Sequence, residues 1–135
     1  MNATLTSPQL LILGYVRSAL TDRSTAPKQG GEGAPEAWIE LDPAYAPALL
    51  GLTVGSRILV LTWLHQGDRS TLTCHPRGDA TRPERGVFAT RSPDRPNPIG
   101  LHEVEIREIA EPASLLVFPL EAIDGTPVVD VKSMG

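Results

Sequence analysis

Glycine and proline cut this chain into short pieces, and that punctuation limits what it can become. The 135 residues include 13 prolines and 12 glycines, spread so that no apolar stretch keeps a helical period for three turns. The stretches 10–16 (LLILGYV), 37–41 (AWIEL), 57–64 (RILVLTWL), 86–90, 101–109, 114–121 and 125–131 instead read as short strands, with 70–75 as a further candidate. In 57–64 the residues Ile58, Leu59, Val60 and Leu61 are continuously apolar, the pattern expected of a strand buried on both sides. Along 101–109, His102, Val104 and Ile106 fall on one face by alternation. Residues 44–52 hold at most a helical turn or two, kept short by Pro47 and Gly51, and 21–36 read as a long surface loop. About seven short strands with few short helices predict an all-β domain, either a barrel or a sandwich.

A chain of this length fits one domain with a real core. Its formal charge of −4 opposes a protein that simply coats nucleic acid. The aromatic share of 4% opposes a platform that stacks successive bases. Between positions 77 and 95, however, five arginines (77, 82, 85, 91, 95) face only Asp79, Glu84 and Asp94, making a basic zone on an acidic body. No run approaches the roughly 20 apolar residues of a membrane span, and the first residues lack a basic-then-apolar leader, so a cytoplasmic protein is expected. The lone Cys74 excludes an internal disulfide. His65, Cys74, His75 and His102 lack the paired spacing of a zinc site, so no metal is expected. Neither a G-x-G-x-x-G fingerprint nor a Walker loop nor a G-x-S-x-G elbow is present.

The most informative string is GVFATRSPDRPNPIGL at 86–101. Pro93, Pro96 and Pro98 fix their own φ and push Ser92, Arg95 and Asn97 towards extended backbone, so the loop loses little further entropy on binding. It presents Arg91, Asp94, Arg95 and Asn97 on a stiff frame. Guanidiniums there can grip a carboxylate or phosphate, and the amide can read a base edge. A plain proline-rich turn between strands is the alternative.

This string resembles the core motif of the TrmO family, also called TsaA-like or YaeB-like, whose members methylate an adenosine beside the tRNA anticodon with S-adenosylmethionine. LGYVRS at 13–18, APKQG at 26–30, His65-Gln66 and DGTPVVDVK at 124–132 resemble further family segments in family order. The resemblance implies a single small β-barrel domain over 1–135, working as a homodimer, with tRNA rather than DNA or a membrane as partner. After DVKSMG the chain reads as lacking the family's C-terminal extension. Carried over by position, Pro27, Lys28, Gln29, His65, Gln66, Arg91, Leu101, Asp124, Gly125, Thr126 and Pro127 are the implied cofactor contacts. Lys28 stands where the family usually has arginine, which keeps the charge and loses the bidentate fork.

S-adenosylmethionine offers a purine edge, a ribose, an amino-acid end and a sulfonium. Its site therefore needs polar edge-readers, an anion partner and oxygens facing the cation. Transfer to an adenine N6 is an in-line displacement whose nucleophile loses its proton late, so alignment matters more than a strong base. Asn97 is expected to orient the acceptor amine, and Arg95 with Arg91 to hold cofactor or RNA anions. A non-catalytic barrel binding S-adenosylmethionine or another adenine metabolite, as a sensor or partner module, is the other reading.

Overall fold

The computed structural model describes residues 7–135; positions 1–6, read above for the absence of a leader, lie outside them. Eight strands form: β1 (Gly14–Arg17), β2 (Ala37–Leu41), β3 (Arg57–Trp63), β4 (Thr73–Cys74), β5 (Arg85–Gly86), β6 (Ile99–Ala110), β7 (Ser114–Phe118) and β8 (Pro127–Ser133). The helical content is a few 3₁₀ turns, among them Pro43–Leu49, whose N-cap Asp42 accepts from the Ala44 N–H. The chain is thus mostly β, as its punctuation predicts.

Six strands make one antiparallel sheet in the order β1-β2-β7-β6-β3-β8, and β8 pairs back to β1 through Gly14↔Val128 and Tyr15↔Pro127, so the circuit closes. The short pair β4-β5 stands apart. Closure needs bent strands. The register shifts between Ile106 and Glu108 on β6 and between Leu61 and Thr62 on β3 supply irregularities of that kind. Alternate residues then point at a common interior: Val16, Ile39, Ile58, Val60, Val104, Ile106, Leu115, Val117 and Val128 are buried.

Three expectations change. β3 is not buried on both sides; Ile58, Val60 and Thr62 are buried while Leu59 and Leu61 are half-exposed, because a closed sheet has one interior. Residues 10–12 precede the sheet rather than open it, and Leu10, Leu11 and Ile12 are exposed. Pairing begins at Gly14 opposite Leu41. Finally, 86–90 is mostly not strand: after Arg85–Gly86 the chain enters a 3₁₀ turn at Val87–Ala89.

Antiparallel pairing around the circuit sends the ends of β1, β3 and β7 and the starts of β2, β6 and β8 to the same rim. The three connections on that rim, 18–36, 64–98 and 119–126, carry every motif singled out above except the parts that lie in β1, β6 and β8.

Candidate functional site

The rim opens because two strands differ in reach. β7 pairs β6 only from Glu105 to Ala110, so β6 from Ile99 to Val104 is paired on its β3 side alone. A cavity of about 700 Å³ occupies this region, within the range of small-molecule sites. The 18–36 connection contributes Pro27, Lys28 and Gln29 to its wall, the start of 64–98 contributes His65 and Gln66, and the proline-rich string contributes Arg91 and Arg95. Leu101 and Thr126 complete the predicted set that lines it.

Each wall segment is held by bonds that sequence separation hides. The Arg23 Nη2 donates to Asp94 Oδ1 at 2.8 Å, and the same oxygen accepts from the Asp68 N–H at 2.9 Å. Arg23 also donates to the Gln66 carbonyl, so one guanidinium ties the 18–36 connection to both ends of the 64–98 connection. The Leu64 N–H donates to the Pro98 carbonyl at 2.7 Å. Arg69, over the ring of Trp63 at 5.0 Å, donates through Nε to the Pro96 carbonyl at 2.8 Å and through Nη2 to Asn97 Oδ1 at 3.1 Å. Glu32, on the 3₁₀ turn Gly30–Glu32, pairs with Arg77, whose hydrogen bond holds the carboxyl below its ordinary range and raises the guanidinium in turn.

Four predicted residues stand outside the cavity wall. Asn97, exposed between Pro96 and Pro98, is turned to Arg69. The turn at Asp124, Gly125 and Pro127 works as a brace: Asp124 Oδ1 accepts from the Ser18 N–H at 3.0 Å, and the Gly125 N–H donates to the Val16 carbonyl at 2.8 Å. Only Thr126 of that turn reaches the wall. Arg95 lines the cavity, but its guanidinium is spent on backbone, donating to the Val87 and Thr90 carbonyls. Arg91 is less committed, with Nη2 donating to the Leu101 carbonyl at 3.1 Å.

Among the wall residues that escaped the sequence reading are His102 and Glu121. His102 is buried, with Nε2 at 2.7 Å from Thr62 Oγ1 and Nδ1 at 2.6 Å from Glu121 Oε1. This satisfied chain of three side chains fixes a carboxylate in the cavity wall. The alternation that groups His102 with Val104 and Ile106 was the available signal; Glu121, three residues past β7, had none.

Chemically the cavity mixes cations (Lys28, Arg91), amide and imidazole edges (Gln29, Gln66, His65) and carboxylates (Glu103, Glu121) over apolar floor. That donor set matches a ligand with a carboxylate, a purine edge and a positive centre.

Known proteins similar to this chain place it in a family. A protein of Methanothermobacter thermautotrophicus named as a probable S-adenosyl-L-methionine-binding protein is 48% identical over 89% of this chain and 85% of its own length. The tRNA (adenine(37)-N6)-methyltransferase of Escherichia coli K12 is 36% identical over 95% of this chain and 58% of its own. A crystal structure of TrmO from Pseudomonas aeruginosa superposes with a TM-score of 0.76 at 30% identity, covering 96% of this chain and 57% of that one. The chain therefore spans most of the first relative and little more than half of the other two. The tRNA-methyltransferase O N-terminal domain matches residues 15–134, nearly the whole length, and the chain belongs to that family.

Proposed function

We propose that this chain binds S-adenosylmethionine in the rim cavity and directs its methyl group to the N6 of an adenosine in tRNA, a threonylcarbamoylated one beside the anticodon, as a cytoplasmic homodimer built on a small β-barrel. The observation that carries the reading is the convergence of Pro27, Lys28 and Gln29 from the 18–36 connection with His65, Gln66 and Arg91 from distant parts of the 64–98 connection on one cavity. In this reading Lys28 and Arg91 hold the cofactor's carboxylate, Gln29, Gln66 and His65 meet its purine and ribose, and Glu121 faces its positive centre. When bound, the cofactor supplies an electrophilic methyl group. The chain's own contribution is alignment: the braced loops hold two reactants at near-attack distance and exclude water from between them. Arg95 and Asn97 serve by keeping the 86–101 string in shape, through Val87 and Thr90 on one side and Arg69 on the other.

A second reading, a cofactor-binding module without transfer, is favoured by one fact: the relative matched over most of its length is named for binding, whereas the named methyltransferase is longer. Calorimetric titration with S-adenosylmethionine and S-adenosylhomocysteine, followed by radiolabelled methyl uptake into bulk tRNA, separates the two. Binding with uptake supports transfer, and binding without uptake supports the module. Absence of binding in a folded sample, or wild-type affinity in Arg91→Ala, refutes the cavity assignment.

A further inference from the structure

The cavity wall contains one benzenoid ring, and it is left in water. Phe88 is 86% exposed, although burial of a phenyl ring is ordinarily among the largest single gains in folding. Nor is it on a loose tip. Its turn is clamped at the Val87 carbonyl, which accepts from the Thr90 N–H, the Thr90 hydroxyl and the Arg95 guanidinium, while the Val87 side chain is buried and its N–H donates to the Leu72 carbonyl. A ring held out rigidly at a cavity mouth loses little freedom when a flat partner covers it.

The charge beside it narrows the partner. Arg85 lies three residues before Phe88 and Arg91 three after; neither is paired with a carboxylate among the described residues. An exposed aromatic ring on a turn that follows an arginine without a carboxylate partner matches a nucleobase with its phosphates. A second copy of this acidic chain would instead need the arginines neutralised.

We propose that Phe88 is the stacking platform for the acceptor base, an unpaired purine of an RNA strand whose phosphates lie along Arg85. This rests on the transfer reading above and adds to it the residue that receives the base. The low aromatic content that opposes a multi-base platform is compatible with a single stacked base.

The test measures methyl uptake into bulk tRNA, S-adenosylmethionine affinity by calorimetry and mass by light scattering, for wild type, Phe88→Ala, Phe88→Leu and Phe88→Trp. Expected is a loss of about tenfold or more in kcat/KM for tRNA in the Ala and Leu variants, near-wild-type transfer in the Trp variant, and unchanged cofactor affinity and mass. Rescue by Leu as complete as by Trp overturns stacking. A change of mass assigns Phe88 to a subunit contact, and a loss of cofactor affinity assigns it to the cofactor's own adenine; either overturns the proposal. Equal transfer by wild type and Phe88→Ala overturns this inference alone, whereas wild type that binds cofactor and transfers nothing overturns the transfer reading and the inference with it.

Discussion

Gly67 is where two walls of the cavity meet, and replacing it with alanine tests whether they are rigidly joined. A Cβ at this position lies 2.2 Å from the Pro93 carbonyl oxygen, 2.9 Å from Pro98 Cβ and 3.1 Å from the Leu64 carbonyl. The backbone there is not in the left-handed region, so the cost is steric rather than conformational. The nearest atom is backbone, and its loop is anchored through Asp94 to Arg23 and to the Asp68 N–H. Ordinary contact begins near 3.4 Å, so the two ends of the 64–98 connection must part by roughly the difference from 2.2 Å. Overpacking of this kind costs about 1–3 kcal/mol. For a chain of this size that lowers Tm by about 4 °C per kcal/mol, or about 4–12 °C. Gly31 is the control: it lies on the same rim, has an ordinary φ, and meets nothing within 4 Å, so Gly31→Ala leaves Tm unchanged or slightly raised. Thermal scans of both variants, with calorimetric titration of S-adenosylmethionine, read the two consequences. Gly67→Ala is expected to lose stability and cofactor affinity together, because His65 and Gln66 move away from Arg91. A Tm within about 1 °C of the control refutes the steric argument; a large Tm loss with wild-type affinity refutes the claim that the two walls act as one.

Thr62→Val keeps the shape of a buried residue but leaves His102 Nε2 without its partner at 2.7 Å. It should cost about 1–3 kcal/mol, read as a lower urea midpoint at unchanged slope; a midpoint equal to wild type refutes the role of the hydroxyl. The Glu32–Arg77 tie gives a pH signature. Because Arg77 depresses the folded-state pKa of Glu32 below its ordinary 4.5, the tie's contribution is complete above about that pH and is lost as pH falls through the lower folded value. The Tm gap between wild type and Glu32→Gln should therefore be constant from pH 7 to about 5 and close in stronger acid; a gap independent of pH refutes the ion pair.

Much of the sheet was legible because each strand announces itself locally. AWIEL becomes β2 with its first, third and fifth residues buried, and the alternation along 101–109 carries into β6. Where reading failed, the deciding partner lay elsewhere in the chain. Leu10 and Leu11 are as apolar as any strand, yet no neighbour pairs with them until Gly14 meets Leu41. The double-sided burial expected of β3 failed because continuous apolarity also suits a strand whose outer face is half-exposed. The cavity itself arises from β7 stopping opposite Glu105, a property of pairing that no window of sequence contains. The anchors Arg23 and Arg69 escaped for the same reason: Arg23 reaches Asp94 across 71 positions, and Arg69 reaches Pro96 across 27.

The arginine count of the basic zone also takes a different meaning once partners are assigned. Prolines at 93, 96 and 98 remove three N–H donors from one loop, so carbonyls there and beside it need donors from outside. Arg69 serves the Pro96 carbonyl, the Leu64 N–H serves Pro98, and Arg95 serves Val87 and Thr90. Proline stiffness and arginine richness are thus one requirement: a loop short of internal hydrogen bonds is held by long cationic side chains. Carboxylates then neutralise two of the five arginines, Arg77 through Glu32 and Arg82 through Asp79, while Asp94 is taken by Arg23. Carbonyl partners do not cancel charge, so among the described residues Arg85, Arg91 and Arg95 remain positive against the unpaired Glu84. The surviving field is therefore narrower than the composition implies, and it is centred on the turn that carries Phe88.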